Sequence, residues 1–300
     1  MKLDYSHGMF WGMIEGLLSG VKIGDRYPIR IMGVINLSSN SFFGGSVMDS
    51  DEKLIATALE MEKDGANIID IGGRSTAPYR SYEIPTHVET KLLKHATKIL
   101  ARNISIPLSA DTTRVEAARA AIGEGATIIN DVYGFTQRDG KNLASLVSKK
   151  DASVIISAHE YRNLVGGDPI RRVQVALQRS LQKAARAGIP EGNIIIDPAL
   201  GFFYDPDISN VQWNSTIINR LSELRNFNKP ICVGASRKKF IGVLSKRKDV
   251  NARLWGSIAA SAISAYNGAH LIRTHDVKET MDAVRVAKGF REKGLSGILR

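Results

Sequence analysis

The chain has 300 residues, 43% hydrophobic and 24% charged, the composition of a soluble globular protein with a sizeable core; it excludes a disordered, collagen-like or disulfide-built chain. A net charge of +11 asks for anionic partners, but basic residues such as Arg171, Arg172, Arg179, Lys183 and Arg186 are dispersed over predicted helix faces, which favours small anionic substrates or a solvated surface over nucleic acid. With the single cysteine Cys232 no intrachain disulfide can form, no stretch reaches membrane-spanning length, and Met1 to Asp4 lacks a signal-peptide layout, so the expectation is a cytoplasmic protein with no membrane partner.

Residues 1–28 read as a glycine-punctuated N-terminal extension, a short hairpin or plug below the main fold, and residues 29–300 as one domain. Strand Ile29 to Asn36 is followed by helix Asp51 to Asp64, strand Asn67 to Ile71, helix Thr86 to Ala101, strand Ile106 to Asp111 and helix Arg114 to Glu124. Strand Thr127 to Asn130, helix Lys141 to Lys149, strand Ala152 to Ser157, helix Ile170 to Ala187 and strand Asn193 to Asp197 continue the alternation. Helix Val211 to Leu224, strand Pro230 to Ala235, helical pieces Lys239 to Leu244 and Ala252 to Asn267, strand Ala269 to Arg273 and helix Val277 to Phe290 complete eight pairs. Gly65, Gly125, Gly188 and Gly268 each stand where a helix gives way to a strand, the place for a left-handed residue. The pattern predicts an α/β fold, a closed (β/α)8 TIM barrel; a doubly wound open sheet is the alternative, but it would need no such eightfold regularity.

In such a barrel the strand C-termini open on one face, where active sites lie. The apolar run Ile194 to Asp197 ends in a carboxylate followed by Pro198 and, after two residues, Gly201; other strands end in Asp111, Asn130, Ser236-Arg237-Lys238 and Arg273-Thr274-His275. Asp111, Asn130 and Asp197 offer acceptors, and Asn130 also donors, for a heterocycle with adjacent N–H groups, while Lys238 is an opposing donor. Arg237, Arg273 and His275 add cationic donors at the ends of strands seven and eight, where barrels commonly bind phosphate. Each residue also has a plainer use: Asp111 and Asp276 sit where helix caps would.

The stretches Ile31-Met32-Gly33-Val34-Ile35-Asn36, Ile68 to Thr76, Asp111-Thr112, Ile128 to Val132, Asp197-Pro198, Ser236-Arg237-Lys238 and Arg273 to Val277 resemble dihydropteroate synthase, in order, over Ile29 to about Phe290. The resemblance implies a transferase of folate biosynthesis that joins a dihydropterin methyl diphosphate to 4-aminobenzoate or a modified arylamine and expels pyrophosphate with Mg2+. It implies catalytic roles for Asp111, Lys238, Arg273 and His275 and a pterin pocket of Asp111, Asn130, Asp197, Lys238 and Arg237. It places Asn36, Arg273 and His275 around the diphosphate, with Asn36 toward the metal, and Asp70 on the second strand. Thr76 and Lys239 fall on the second-substrate side, and a homodimer is implied. Departures lie on that side: Ser38-Ser39-Asn40-Ser41-Phe42 stands for a usual Thr-Pro-Asp-Ser-Phe, Arg74 for Glu, Ala77 for Arg, Tyr79 for Gly and Lys239 for Ser, and Ala158-His159-Glu160 is atypical. Arg74 and Lys239 thus add positive charge where the second substrate enters. The alternatives are a pterin-dependent methyltransferase of the same barrel type, disfavoured by the retained Arg273, His275 and Lys238, and a non-catalytic pterin-binding homologue.

Overall fold

The computed structural model describes residues 13–37, 47–74, 84–160 and 167–296. A two-stranded antiparallel hairpin, β1 (Glu15–Leu18) and β2 (Val21–Gly24), precedes eight parallel strands. These are β3 (Arg30–Asn36), β4 (Ile68–Gly72), β5 (Leu108–Asp111), β6 (Ile128–Asp131), β7 (Ser153–Ser157), β8 (Ile194–Asp197), β9 (Cys232–Val233) and β10 (Leu271–Thr274). They pair in the order β8-β7-β6-β5-β4-β3-β10-β9, and a parallel bridge between Ile196 and Ile231 closes β8 onto β9, so the chain is a (β/α)8 barrel.

Between the strands run α1 (Val47–Lys63), α2 (Thr86–Leu100), α3 (Val115–Gly123), α4 (Gly140–Lys149), α5 (Pro169–Arg186), α6 (Asn210–Asn219), α7 (Lys239–Leu244) and α8 (Leu254–Tyr266), with α9 (Val277–Ser296) last. Their boundaries follow local chemistry. Pro169 occupies the first turn of α5, where its missing N–H costs nothing, and Ser209 with Gln212 forms a capping box at the start of α6. Gly65, Gly125, Gly188 and Gly268 adopt φ of 102°, 117°, 76° and 110°, as their places after helices predict.

Two predicted elements differ. The helix expected over Val211 to Leu224 stops at Asn219, and a 3-10 helix, Leu221–Phe227, takes over. Leu221 and Leu224 are both buried, and a period of three keeps them on one face. The strand expected over Pro230 to Ala235 keeps ladder pairing only at Cys232–Val233. Pro230 has no N–H to give, and the Ile231 N–H is taken by the His270 side chain at 3.0 Å.

Period-two alternation sorts the barrel residues. One set, including Ile31, Ile69, Ala110, Ile129, Val154, Ile196 and Ile272, packs against the helices. The other points into the barrel, where Met32, Ile68, Ile128, Ile155, Ile195, Cys232 and Leu271 make an apolar floor with Leu18 and Ile23 of the hairpin. Two positions further along the same strands the inward residues become Asp70, Asn130, Ser157, Asp197 and Arg273. The barrel interior is thus apolar at the bottom and polar at the mouth.

The hairpin is fastened under the barrel by polar contacts. The Ser19 hydroxyl donates to Thr127 Oγ1 at 2.6 Å, and its N–H donates to Ser153 Oγ at 3.0 Å. Asp25 accepts both terminal nitrogens of Arg225 at 2.8 Å, the Ile14 N–H at 2.9 Å and His270 Nε2 at 3.2 Å. Because His270 Nδ1 accepts the Ile231 N–H, its ring proton is on Nε2 and points at Asp25. Burial alone would raise the pKa of Asp25, but Arg225, His270 and the Ile14 N–H hold it well below the carboxylate range. A carboxylate depressed in the folded state stabilises fully above its unfolded pKa of about 4 and loses that contribution as pH falls below it. Asp25→Asn is therefore expected to lower stability by about 3 kcal/mol at pH 7 in urea titrations. The parent's loss of stability between pH 4 and pH 2 should be shallower in the variant; equal slopes would remove Asp25 from this role.

Candidate active site

At the barrel mouth, Arg273 of β10 spans two carboxylates from neighbouring strands. Its Nε donates to Asp70 Oδ2 at 2.6 Å and a terminal nitrogen to Asp111 Oδ2 at 2.8 Å, while Asn130 Nδ2 reaches the same Asp70 oxygen at 3.1 Å. The second oxygens, Asp70 Oδ1 and Asp111 Oδ1, are buried and without a hydrogen-bond partner among the described residues. A buried acceptor left open costs free energy, so both await donors. Burial pushes Asp111 up to about 7 against the pull of Arg273, with the neighbouring Asp70 adding to the rise. Arg114, not Asp111, stands at the N-cap of α3, whereas Asp276 does stand just before α9, its carbonyl accepting the Thr280 N–H while its carboxylate pairs with Arg237 at 2.6 Å.

Asp197 ends β8 and is buried, which raises its pKa, although Lys238 and the Ala199 N–H, at 2.6 Å from Oδ1, pull the other way. Ala199 sits at φ 58°, a strained value for a residue with a Cβ, and the Asp197 bond holds it there. The next loop residues enclose Lys238, whose Nζ donates to the Leu200 carbonyl and lies 4.5 Å over the Phe202 ring. Burial drives Lys238 down to about 8, opposed by Asp197 and Asp111. Arg237, at φ 59°, turns its side chain away toward Asp276 and Asn251, which sends Lys238 inward.

His275 enters as a neutral imidazole. Desolvation, then Arg273 and Arg237, push it down to about 4. Asn36 Nδ2 lies 3.1 Å from Nε2; an amide nitrogen only donates, so the ring proton is on Nδ1, facing Ser236 Oγ at 2.9 Å. The cationic donor expected at His275 is therefore corrected: it acquires charge only when an anion draws a proton onto it.

These groups line one cleft of about 560 Å³. Arg74, Arg237, Lys238, Lys239, Lys248, Arg253 and Arg273 face it against Asp111 and Asp197. The structure brings together every described candidate: Asn36, Asp111, Asn130, Asp197, Arg237, Lys238, Lys239, Arg273 and His275. Thr76 lies outside the described residues, as do positions 38–42, 77 and 79. Arg273, expected at a diphosphate, spends its observed hydrogen bonds on Asp70 and Asp111. Arg74, expected to add free positive charge, is paired: it donates to Thr113 Oγ1 at 2.7 Å and lies 3.4 Å from Glu89, a buried carboxylate that also binds Arg114 at 2.9 Å. Lys239 is exposed at the first position of α7 and borders the cleft. Phe202 and Glu89 were not singled out from the sequence; Phe202 directly follows the Asp197 motif, whereas nothing in the spacing of α2 marks Glu89.

The model of the family described as pterin binding enzymes matches residues 32–275. The chain is 32% identical to the dihydropteroate synthase of Mycobacterium leprae over 89% of its length and 95% of that protein, and 31% identical to that of Escherichia coli K12 over 90% and 94%. Among solved structures, Xanthomonas albilineans dihydropteroate synthase with 4-aminobenzoic acid superposes with a TM-score of 0.81 at 29% identity, covering 93% of this chain and 99% of that one. The Coxiella burnetii enzyme with pteroic acid gives 0.79 at 32% identity, over 93% and 98%.

A ligand held at once by an Asp111 carboxylate and a Lys238 ammonium would need both groups charged. Asp111 is ionised above about pH 7 and Lys238 is charged below about pH 8, so both conditions hold best between those values. Pterin affinity, titrated by calorimetry, is expected to peak near their midpoint and fall on both sides. Asp111→Asn should abolish the acid limb and Lys238→Gln the alkaline one; a flat profile in the parent would refute the assignment.

Proposed function

Since the chain belongs to the dihydropteroate synthase family of pterin-binding enzymes, we propose that its cleft condenses a dihydropterin methyl diphosphate with 4-aminobenzoate or a related arylamine, as a transferase of folate biosynthesis. The observation that carries this reading is the open carboxylate oxygen Asp111 Oδ1, a buried acceptor in a cleft lined by cations. A pterin edge supplies the missing N–H donors, and a diphosphate supplies the negative charge. Asp111, Asn130, Asp197 and Lys238 hold the ring. Arg237 and Arg253 line the outer wall.

The arylamine nitrogen attacks the pterin methylene carbon, the C–O bond to the diphosphate breaks, pyrophosphate leaves with the bonding electrons, and the amine releases a proton. An arylamine is neutral at pH 7 and nucleophilic, so no strong base is needed. Arg273 and Lys238 stabilise charge building on the leaving group, and His275 becomes a second donor once protonated by its approach. Mg2+ suits this site as a companion of the substrate: it prefers oxygen ligands, keeps waters and commonly needs few protein groups beside phosphates. The Asn36 amide oxygen is the protein ligand we assign to it; bound there, the ion would neutralise diphosphate charge. Lys239, on the cleft edge in place of a family serine, is assigned to the acidic group of the second substrate, a role the family resemblance also gives Thr76.

The methyltransferase alternative is disfavoured by the same cations, which a substrate without diphosphate does not use. We also propose a homodimer in a reducing compartment, the cytoplasm. Cys232 is a buried free thiol, and no helix among the described residues is long and apolar enough to cross a membrane. For the dimer, the support is an outer face that carries both halves of a self-complementary contact. An apolar groove of about 380 Å³ between α6, α7 and α8 includes Phe240, Ile241, Leu244 and Ile263, and beside it Trp255 (75% exposed) and Tyr266 (52%) protrude. A two-fold axis would seat one copy's aromatics in the other's groove.

The parent enzyme is expected to release pyrophosphate from the dihydropterin diphosphate in the presence of Mg2+ and 4-aminobenzoate. Asp197→Asn, which keeps an acceptor for the Ala199 N–H, should lower kcat/KM about a hundredfold through weaker pterin binding, since mismatched buried groups cost about 1–3 kcal/mol each. No pyrophosphate release with any arylamine would overturn the reading. In sedimentation experiments the parent should run as a dimer and Trp255→Glu/Ile263→Glu as a monomer; a monomeric parent sinks the proposed contact.

A further inference from the structure

Arg172 of α5 looks from the sequence like one more solvated cation, yet its side chain is 7% exposed. Its Nε donates to Glu160 Oε1 at 2.8 Å, and NH2 reaches Oε2 of the same carboxylate at 2.5 Å. NH1 grips Asp205 Oδ2, and the guanidinium lies 4.5 Å over the Trp213 ring. Trp213 in turn stacks on Phe203, with ring centroids 5.1 Å apart. One buried guanidinium therefore holds the segment leaving β7 and two points of the loop leaving β8.

The β8 loop is the wall that encloses Lys238. Leu200 gives it a carbonyl, Phe202 a ring face, and Gly201, at φ 79°, runs so close that a Cβ there would stand 3.1 Å from Lys238 Cδ. Phe203 and Asp205, gripped by Trp213 and Arg172, belong to the same loop. We propose that Arg172 is a positioning residue for Lys238, acting through the β8 loop without touching substrate. The assignment of Lys238 to the pterin pocket rests on the function proposed above; the mechanical link does not.

Lys238 reports the state of that wall. It is faced by Asp197 on β8, Asp111 on β5, Cys232 on β9 and Arg273 on β10, residues of the barrel strands rather than of the loop. What changes is burial, the largest influence on this amine, which pushes it down to about 8. Water admitted by a loosened loop moves it back toward the ordinary lysine value of about 10.4.

The test is the pH dependence of Lys238 acylation by a small amine-reactive reagent, read by peptide mass spectrometry, with exposed Lys91 as internal standard. It is run on the parent, Arg172→Gln and Asp205→Asn, the last being isosteric and retaining an acceptor for the Asp207 N–H. The parent should show a midpoint near pH 8. Both variants should shift it upward by about one unit or more, so that the neutral, reactive fraction of Lys238 at pH 8 falls about fivefold or more. Parent and variants sharing one midpoint, with melting temperatures showing the variants folded, overturns the proposal and leaves Arg172 a structural ion pair. Should Arg172→Gln not fold, Asp205→Asn decides alone. No substrate or turnover enters this readout, so a failed pyrophosphate assay and a failed positioning role are told apart.

Discussion

One guanidinium spanning two buried carboxylates is the interaction on which the site depends. Arg273 cannot neutralise both Asp70 and Asp111, so the polar layer above the apolar floor has one oxygen of each left open. Removing charges from water is unfavourable, and a lone buried carboxylate would protonate; a shared arginine keeps the pair together while leaving Asp111 close to neutrality. A ligand bringing N–H donors completes what the protein leaves incomplete. Recognition and the cost of keeping the empty site are the same physical fact.

Around that floor the charges are layered. Asp111 and Asp197 are buried acceptors at the strand ends, Lys238 is enclosed beside them by the β8 loop, and the exposed Lys239 and Lys248 border the cleft. A substrate with a polar heterocycle at one end and an anion at the other can enter in one direction only. His275 fits this order because it is neutral until a negative group arrives, so it adds no repulsion to Arg273 and Arg237 in the empty cleft. The left-handed residues Ala199 and Arg237 flank the same cleft, each clamped by a hydrogen bond, from the Ala199 N–H to Asp197 and from the Arg237 N–H to Ser257 Oγ.

Much of this is legible in the sequence because the barrel imposes parity. Once Ile195 is placed inward, Asp197 must be inward too, and the same rule carries Ile128 to Asn130 and Leu271 to Arg273. Chain ends of strands therefore name the site. What the pattern does not yield is partner choice among the long side chains. Arg74 looks like added charge for a substrate, but Glu89, on a helix that offers no special signal, absorbs it. Arg237 sits in a motif beside Lys238, yet its left-handed backbone turns it to Asp276. Arg172 illustrates a missed signal: Val173, Ala176, Leu177, Ser180 and Ala184 mark the buried stripe of α5, and the helical period puts residue 172 at its edge. The shortened β9 was foreshadowed by Pro230, whereas His270 taking the Ile231 N–H depends on a contact with residue 25 that no local pattern records.

The hairpin beneath the barrel has a consequence for how the chain comes to be folded. Its anchors join residues 134, 200 and 245 positions apart: Ser19 with Ser153, Asp25 with Arg225, and Asp25 with His270. During synthesis the hairpin is made before the groups that fasten it, Thr127 and Ser153 in the middle of the chain and Arg225 and His270 ahead of the final strand. Closing loops of that span is entropically slow, so Leu18 and Ile23 stay uncovered until the barrel strands whose inward residues pack on them have been added. A hairpin made ahead of the barrel strands is thus the piece that seals them from below.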